Sequence, residues 1–332
     1  NALGQVTSQT WLIGGALTYK TCNTYDAFGR LRTQNYPSTS NCTGETLEYS
    51  YNAMGALEKV KSQTLALDYL KNLDYNTGGQ VTTQLLGNDV TTTNTYDPQT
   101  LRLTSAVSAK IPQNPVLNLT YDYDPVGNVE QIIDATRSET SAYTYDHLDR
   151  LLSVNLTGGS SPYSQSFAYS PIGNLTSKAG VALNYTAQSS TCPDGALSKP
   201  HAATSAGSDA YCYDKNGNMV KRTESGTVYT QNFDTENRLT SVVTGGQTTS
   251  FYYDPDGNLL SKVKPDGSAT LYLGGLYEVD LTSSGVTTKK TTYYPGGAMR
   301  VDIVGGANTL YYSLRDHLGS ASVLLDSSGN LV

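Results

Sequence analysis

One short phrase of residues recurs along the chain and constrains its fold more than any other feature. It begins with an aromatic residue and Asp or Asn, then two or three variable positions, then Gly or Asn, a polar residue and an aliphatic. A clean copy is Tyr253-Asp254-Pro255-Asp256-Gly257-Asn258-Leu259. The aromatic residues of the visible copies stand at positions 25, 51, 75, 96, 123, 145, 169, 213, 233 and 253. This regular spacing predicts a repeat architecture in place of two ordinary domains.

Each copy has the chemistry of a hairpin turn. Pro255 presets φ for the second position of a type I turn, Asp254 caps the turn from the first position, and Gly257 accepts the left-handed φ that follows. The result is a three-residue hairpin loop with a glycine bulge. Strand-forming residues flank the loop, and a second turn such as Gly245-Gly246 closes the unit at its other end. Each repeat therefore predicts two antiparallel strands in a continuous meander.

The clearest copies supply the residues that we expect to build the repeat turns. These are Tyr25, Asp26, Gly29, Tyr123, Asp124, Gly127, Tyr145, Asp146, Tyr213, Asp214, Gly217, Tyr253, Asp254 and Gly257. The long gap from 169 to 213 equals two periods, which predicts a degenerate copy near Cys192-Pro193-Asp194-Gly195. Residues 53–73 contain good helix formers, but the repeat grammar and a period-two alternation predict strand there.

The number of strands bounds the architecture. About twelve repeats give roughly 24–28 strands, and twisted open sheets rarely exceed ~10 strands without curling. The fold class is therefore all-β, a continuous antiparallel hairpin meander curled into a spiral strip, shell or barrel. A wide hollow curl fits the low content of apolar (37%) and charged (15%) residues. A tight spiral would need the 26 tyrosines as its apolar face, and both forms stay open.

The copies resemble the YD repeats of the Rhs/YD-repeat superfamily, which includes bacterial polymorphic toxins, the shell component of toxin complexes and animal teneurins. The C-terminal stretch with Asp316, His317 and Gly319 is similar to the opening of an Rhs-associated core. The resemblance divides the chain into a YD-repeat strip of about eleven repeats, residues 1–292, and a core-like segment, residues 293–332, continuous with the same strip.

The resemblance implies a non-enzymatic extracellular scaffold that forms all or part of a hollow β-shell and encloses or displays a C-terminal effector in toxin delivery. Its partner would be the encapsulated toxin, or a glycan or receptor on a cell surface. The alternative is a structural surface fibre or adhesin, with carbohydrate binding and self-association into filaments through exposed strand edges.

Charge and hydropathy exclude two classes of partner. The net charge is −7, whereas a nucleic-acid-binding protein is expected to present a basic face. The longest plain apolar stretch, residues 11–16, is far shorter than the ~20 residues that a membrane span needs. No secretory signal is visible, and because the chain begins and ends in mid-pattern we expect it to be a piece of a longer protein.

The four cysteines form two local pairs, Cys22 with Cys42 and Cys192 with Cys212. This pattern predicts two disulfides and an oxidising compartment. Equivalent positions in successive repeats lie about 9.6 Å apart, beyond the ~7 Å Cα limit of a disulfide. The bridges therefore require irregular loops, which the segment around Cys42 and the degenerate copy at Cys192 provide. Buried free thiols are the alternative.

No catalytic or cofactor motif stands out. None of the three histidines lies in a metalloprotease motif, and Asp316-His317 has no paired nucleophile in the sequence. Asp254 to Asn258 places oxygen ligands at alternate positions as a calcium loop does, but the distal Glu is missing. We therefore expect no metal, no cofactor and no enzyme activity; a glycan hydrolase would rest on carboxylate abundance alone.

Overall fold

The computed structural model describes residues 1–14, 17–39 and 41–332. These residues form 29 β-strands and one short 3-10 turn, Pro295–Gly297, which confirms the all-β prediction. The first fifteen strands are β1 (Ser8–Ile13), β2 (Leu17–Tyr25), β3 (Leu31–Ser38), β4 (Thr46–Tyr51), β5 (Leu57–Ser62), β6 (Leu67–Tyr75), β7 (Val81–Leu86), β8 (Thr91–Tyr96), β9 (Leu103–Ala109), β10 (Leu117–Tyr123), β11 (Val129–Asp134), β12 (Glu139–Tyr145), β13 (Leu151–Gly158), β14 (Tyr163–Tyr169) and β15 (Leu175–Lys178).

The remaining strands continue the same pattern to the C-terminus. They are β16 (Val181–Asn184), β17 (Ser205–Ala206), β18 (Asp209–Tyr213), β19 (Met219–Glu224), β20 (Thr227–Phe233), β21 (Leu239–Thr244), β22 (Gln247–Tyr253), β23 (Leu259–Val263), β24 (Ala269–Leu273), β25 (Tyr277–Leu281), β26 (Thr287–Tyr293), β27 (Ala298–Ile303), β28 (Asn308–Arg315) and β29 (Ala321–Asp326).

Every strand pairs antiparallel with the next strand along the chain, so the sheet is one unbroken meander. The ladder is open, because β1 and β29 do not pair with each other. The region of residues 53–73, where helix competed with strand, contains β5 and most of β6, which confirms the strand prediction. The observed number of strands slightly exceeds the expected range of roughly 24–28.

The repeat turns have the predicted geometry. The N–H of Gly29 donates to the carbonyl of Asp26, and the N–H of Asp26 donates to the carbonyl of Arg30. Gly29 takes φ of +80°, which a residue without Cβ adopts at no steric cost. The register of the two strands shifts at Tyr25, so each turn carries a β-bulge at its aromatic residue. All these turns follow even-numbered strands and therefore lie along one edge of the ribbon, here called the YD rim.

The two ends of the ribbon pack face to face. Buried side chains of β3–β10, including Leu47, Tyr69 and Leu70, form one cluster with Tyr312 and Leu325 of β28 and β29. A second cluster joins Trp11 and Tyr19 on β1 and β2 to the buried side chains of β24 and β25. We call these two clusters together the closing seam.

The middle of the ribbon, β11–β23, is different, and we call it the open span. Among the described residues of the span, the buried apolar side chains are Val154, Cys192, Cys212 and Tyr213. Most other positions there are intermediate or exposed on both faces. The structure thus combines features of the two forms that the sequence left open: a buried core where the ends meet, and elsewhere a sheet whose side chains are mostly intermediate or exposed on both faces.

Candidate functional site: a tyrosine ladder and a closing seam

The Asp of each repeat organises its turn from within. Oδ1 of Asp26 accepts hydrogen bonds from the backbone N–H groups of Phe28 and Arg30, and Oδ2 accepts one from Nε of Arg30 at 2.7 Å. Asp146 and Arg150 repeat this arrangement. Asn replaces the Arg in the other clear copies, where Asn128, Asn218 and Asn258 donate to Asp124, Asp214 and Asp254.

These hydrogen bonds favour the ionised carboxylate. The guanidinium of Arg150, together with backbone N–H groups, lowers the pKa of Asp146 to about 2. Backbone and hydroxyl donors of Thr100 likewise hold the pKa of Asp97 below its usual value. The turn carboxylates are therefore charged at neutral pH and act as caps.

The repeat tyrosines tie each turn to the one before it. Each hydroxyl donates to the carbonyl of the residue that opens the strand after the preceding turn. The pairs are Tyr51 to Leu31, Tyr75 to Leu57, Tyr96 to Val81, Tyr123 to Leu103, Tyr145 to Val129, Tyr169 to Leu151 and Tyr253 to Leu239, at 2.7–3.0 Å. Tyr25 and Tyr213 make the same kind of bond, to Val6 and Ala203. We call this series the tyrosine ladder.

Arginines strengthen the contact between successive turns. The guanidinium of Arg30 lies 4.4 Å from the ring centre of Tyr51, and that of Arg150 lies 4.6 Å from the ring of Tyr169. Each Arg is therefore bonded to the Asp of its own turn and stacked on the Tyr of the next, a cation–π contact that couples neighbouring repeats.

Several members of the repeat lack part of the phrase in which an aromatic residue precedes Asp or Asn. In the degenerate copy the ladder tyrosine is Tyr185, whose hydroxyl donates to Leu175, and Cys192–Gly195 is a turn inside the loop that follows. Turns of the same hydrogen-bonding pattern occur at residues 1–5 and at residues 326–330, where Leu325 precedes the Asp in place of an aromatic residue. The pattern Asp/Asn-x-x-Gly, without the aromatic, would have found these two turns.

The core-like motif also forms a repeat turn. Oδ1 of Asp316 accepts from the N–H groups of Leu318 and Ser320, and Gly319 has φ of +81°. The ring of His317 packs on Tyr121 at 4.8 Å, and burial lowers the pKa of the imidazole. The motif thus lies where β28 and β29 meet β10, within the closing seam.

A polar network crosses the seam. The carboxylate of Glu45, just before β4, accepts from the hydroxyls of Tyr69 and Tyr294, both at 2.6 Å. Arg300 donates to the same two hydroxyls at 3.1 and 3.3 Å. The rings of Tyr69 and Tyr294 stack with centres 3.7 Å apart. A carboxylate and a guanidinium are therefore linked through two buried phenols that come from opposite ends of the chain.

Further hydrogen bonds join the two layers along the seam. The hydroxyl of Tyr36 donates to the carbonyl of Tyr293 at 2.6 Å. The side-chain amide of Asn88 donates to the carbonyl of Asp326 at 3.1 Å. Most of these bonds run from a side chain of one layer to the backbone of the other, so the seam closes the curl without extending the ladder.

Two cavities flank the Tyr294–Gly297 turn. One, of about 550 Å³, is lined by polar side chains that include Asn94, Tyr96 and Asp316. The other, of about 430 Å³, is lined by Tyr19, Glu45 and Arg300 among others. Within the described part of the chain, no three His, Cys, Asp or Glu side chains are grouped so that they could hold a metal ion. In the turn that resembles a calcium loop, the carboxylate of Asp254 accepts a hydrogen bond from the side-chain amide of Asn258.

Both cysteine pairs are disulfide-bonded. Cys22 is joined to Cys42 and Cys192 to Cys212, with Cα atoms 5.7 and 5.5 Å apart. Irregular loops bring the partners within reach, as the geometry requires. The second bridge fastens the long loop between β16 and β17 to β18, where the Gln188 side chain also bonds the backbone of Tyr213. In the described ranges, no helix has the length and apolar content to cross a membrane.

The fold and the ladder define a repeat scaffold, a β-strip held by turn and tyrosine contacts. Comparisons with known proteins agree. The teneurin YD-shell family matches residues 72–332, and the chain belongs to that family. It is 34% identical to the toxin subunit YenC2 of Yersinia entomophaga over 139 residues, covering 35% of this chain and 14% of the relative. It is 27% identical to the tRNA3(Ser)-specific nuclease WapA of Bacillus spizizenii over 258 residues, covering 63% and 11%.

Solved structures show the same fold over the whole chain. The crystal structure of TcdB2-TccC3-Cdc42 superposes with a TM-score of 0.79 at 22% identity, covering 100% of this chain and 19% of that one. A Photorhabdus luminescens Tc holotoxin pore gives 0.77 at 22% identity, with the same coverage. The chain therefore spans less than a fifth of these relatives and structures.

Proposed function

We propose that this chain is a section of the wall of a secreted toxin-delivery shell, with the non-enzymatic role of containing or displaying an effector that follows it in the chain. The observation that carries the proposal is the unbroken meander, whose ends pack on each other while most side chains of the middle stay intermediate or exposed on both faces. Such a wall surrounds space without filling it. The relatives support the proposal, because the matched section is a small part of a much longer toxin subunit, YenC2, of the nuclease WapA and of a Tc holotoxin pore.

Within this proposal each predicted residue has a structural role. The Tyr, Asp and Gly residues of the repeats fix the pitch of the wall through the ladder and the turns. Residues 293–332 are the start of the core-like segment, which lies against the first strands. The two disulfides support an extracellular location, because such bonds persist in oxidising compartments.

Protease protection tests containment. A disordered reporter peptide with one cleavage site is appended after Val332, and a control protein carries the same reporter inserted between Ser225 and Gly226, in an exposed turn of the open span on the edge opposite the YD rim. We expect the C-terminal reporter to be cleaved more slowly, and the seam substitution Tyr69→Ala to remove the difference. Equal cleavage rates of the two reporters in proteins whose seam is unmodified would contradict containment.

A surface fibre is the second candidate function, favoured by the exposed outer strand. In the described structure β1 pairs only with β2, and most of its side chains are exposed. An unpaired edge of this kind is a template for strand addition. Electron microscopy at increasing protein concentration distinguishes the two: filaments growing from the β1 edge favour the fibre, and discrete particles favour the shell wall.

A further inference from the structure

The tips of the repeat turns form a row of exposed apolar side chains along half of the YD rim. The third residue of each five-residue turn points away from the sheet, and in most turns from the N-terminus to β14 it is apolar. The exposed fractions are Leu3 79%, Phe28 83%, Met54 91%, Val126 70%, Leu148 68% and Ile172 62%. Together with Leu101, which is 50% exposed, these side chains are here called the apolar rim.

The row has two interruptions, Gly78 and the polar Gln99, and Leu101 lies beside both of them. Successive turns of the meander lie two strands apart, about 9.6 Å. The turn at Gly78 has no side chain at its tip, but Cδ1 of Leu101 from the next turn lies 3.7 Å from where a Cβ on Gly78 would stand. Leu101 therefore fills the gap. Single exposed apolar residues are normal on a protein surface, whereas a contiguous stripe marks an interaction site.

The fold itself does not require apolar tips. In the turns after β18, β20 and β22 the equivalent tip residues are the polar Asn216, Glu236 and Asp256, and the same hydrogen bonds close their turns. An apolar tip returns at Leu318, which is 79% exposed in the turn after β28. The change from apolar to polar falls at the disulfide-bonded loop. The composition of the first half of the rim is therefore a property of that surface and not of the turn.

Part of the charge on the apolar rim is neutralised within its own turns. The guanidinium groups of Arg30 and Arg150 on this rim are paired with Asp26 and Asp146 at 2.7 and 2.5 Å. The carboxylates of Asp97 and Asp149 accept hydrogen bonds from Thr100 and Asn128 but have no ion pair among the described residues, so a partner covering the tips would also meet these two groups. The polar half of the rim adds the exposed carboxylate of Asp256 at the tip itself.

We propose that the apolar rim is the interface between two copies of this chain, which pair rim to rim. The exposed area of the seven side chains is on the order of 900 Å², close to the ~800 Å² per partner of a standard interface. A row of knobs with a fixed spacing is complementary to another row with the same spacing shifted by half a repeat, and a second copy offers that row. A two-fold arrangement places the same patch on both partners. This interface is independent of containment by the wall.

Sedimentation equilibrium of the full chain tests the proposal. We expect a concentration-dependent dimer, and the triple variant Phe28→Ser, Met54→Ser and Leu148→Ser should weaken it by roughly a hundredfold or more. The matched control is Leu65→Ser, Val286→Ser and Val304→Ser, which removes exposed apolar side chains from the opposite edge. The control should dimerise as the unmodified chain does.

Thermal melting checks that the substitutions do not unfold the protein. All six positions are exposed, so both triple variants should melt as the unmodified chain does. A monomeric unmodified chain would overturn the proposal. So would a dimer that survives the rim substitutions, or one that the control substitutions weaken equally, because association would then occur elsewhere or without specificity.

Discussion

The closing seam and the open span are built from the same repeat and differ in what surrounds it. Turns with the same hydrogen bonds occur at Asp26, near the seam, and at Asp234, in the span. In the seam a second layer covers one face of the sheet and buries Tyr69, Leu70 and Leu325 almost completely. In the span the ladder, the turns and the Cys192–Cys212 disulfide act without a second layer. The comparison separates contacts that specify a ribbon from contacts that close it.

Because the two regions are held by different interactions, they should respond differently to the same kind of change. The seam depends on buried apolar area and on the network around Glu45. The span depends on backbone ladders, tyrosine hydroxyls and turn carboxylates. A change confined to one region can therefore be compared with a matched change in the other.

Truncation of a seam tyrosine should cost the most. Tyr69→Ala removes a fully buried ring and leaves Glu45 without one of its donors, so we expect a loss of about 3–5 kcal/mol in the free energy of unfolding. The matched change Tyr252→Ala, at a 57% exposed position in the span, should stay within about 0.5 kcal/mol. Denaturant unfolding measures both. Equal losses would show that the two regions share one kind of packing.

Removal of the span disulfide should have the next largest effect. Replacing Cys192 and Cys212 by Ser frees a loop with a sequence separation of 20, worth about 3 kcal/mol by loop-closure entropy. Only two residue pairs join β16 to β17 and two join β17 to β18, so the loss should be local. Hydrogen exchange should quicken over residues 185–213, while Trp11 fluorescence, which reports the seam, stays unchanged. A change at Trp11 would show that the loop supports the seam.

Alkaline and acid pH should open the two regions separately. Burial raises the pKa of Tyr294 to about 12, so its contribution is complete below pH 10 and is lost as pH rises through about 12, on the order of 2 kcal/mol. The lowered pKa of Asp146, about 2, gives the span a contribution that is present above pH 4 and lost as pH falls through about 2.

Two signals follow these transitions. The single tryptophan, Trp11, lies in the seam, and far-ultraviolet circular dichroism follows the whole sheet. At high pH the fluorescence of Trp11 should change while most of the strand signal remains, and in acid the order should reverse. Coincident changes of both signals at both extremes would contradict a separation into two regions.

A change of one hydroxyl in the span should have a smaller effect. At the repeat where Phe233 replaces Tyr, the ladder lacks a bond that Tyr would make to the carbonyl of Met219, by analogy with Tyr253 and Leu239. Phe233→Tyr should therefore stabilise by about 0.5–1.5 kcal/mol, and Tyr253→Phe should destabilise by a similar amount. Urea midpoints of the two variants should move in opposite directions. A shift of both midpoints in the same direction would show that the hydroxyls of the tyrosine ladder do not stabilise the span.

The sequence predicts the span better than the seam for a physical reason. A turn is decided by residues within five positions of each other, so the Tyr-Asp phrase was sufficient to predict strands, bulges and their order. The seam joins Tyr69 to Tyr294 and Asn88 to Asp326, residues more than 200 positions apart. No local pattern indicates which apolar faces pack together, so the sequence alone did not distinguish a hollow curl from a tight one.

The same reasoning explains the turns that the sequence search overlooked. Tyr185 is followed by Thr186 and not by Asp, and the turn at Asp326 is preceded by Leu325 and not by an aromatic residue. Each half of the phrase works alone, because the hydroxyl and the carboxylate make separate hydrogen bonds. A search for the complete phrase therefore finds only the repeats in which both are present.

A double-mutant cycle across the seam tests the central claim, that the strip is closed by side chains from its two ends. Tyr69→Leu and Tyr294→Leu are made singly and together, and the free energy of unfolding is measured for all four proteins. The stacked rings and their shared bonds to Glu45 predict a coupling energy of roughly 1–3 kcal/mol. Additive effects would mean that the two tyrosines do not meet in solution, and that the ribbon is open along its whole length.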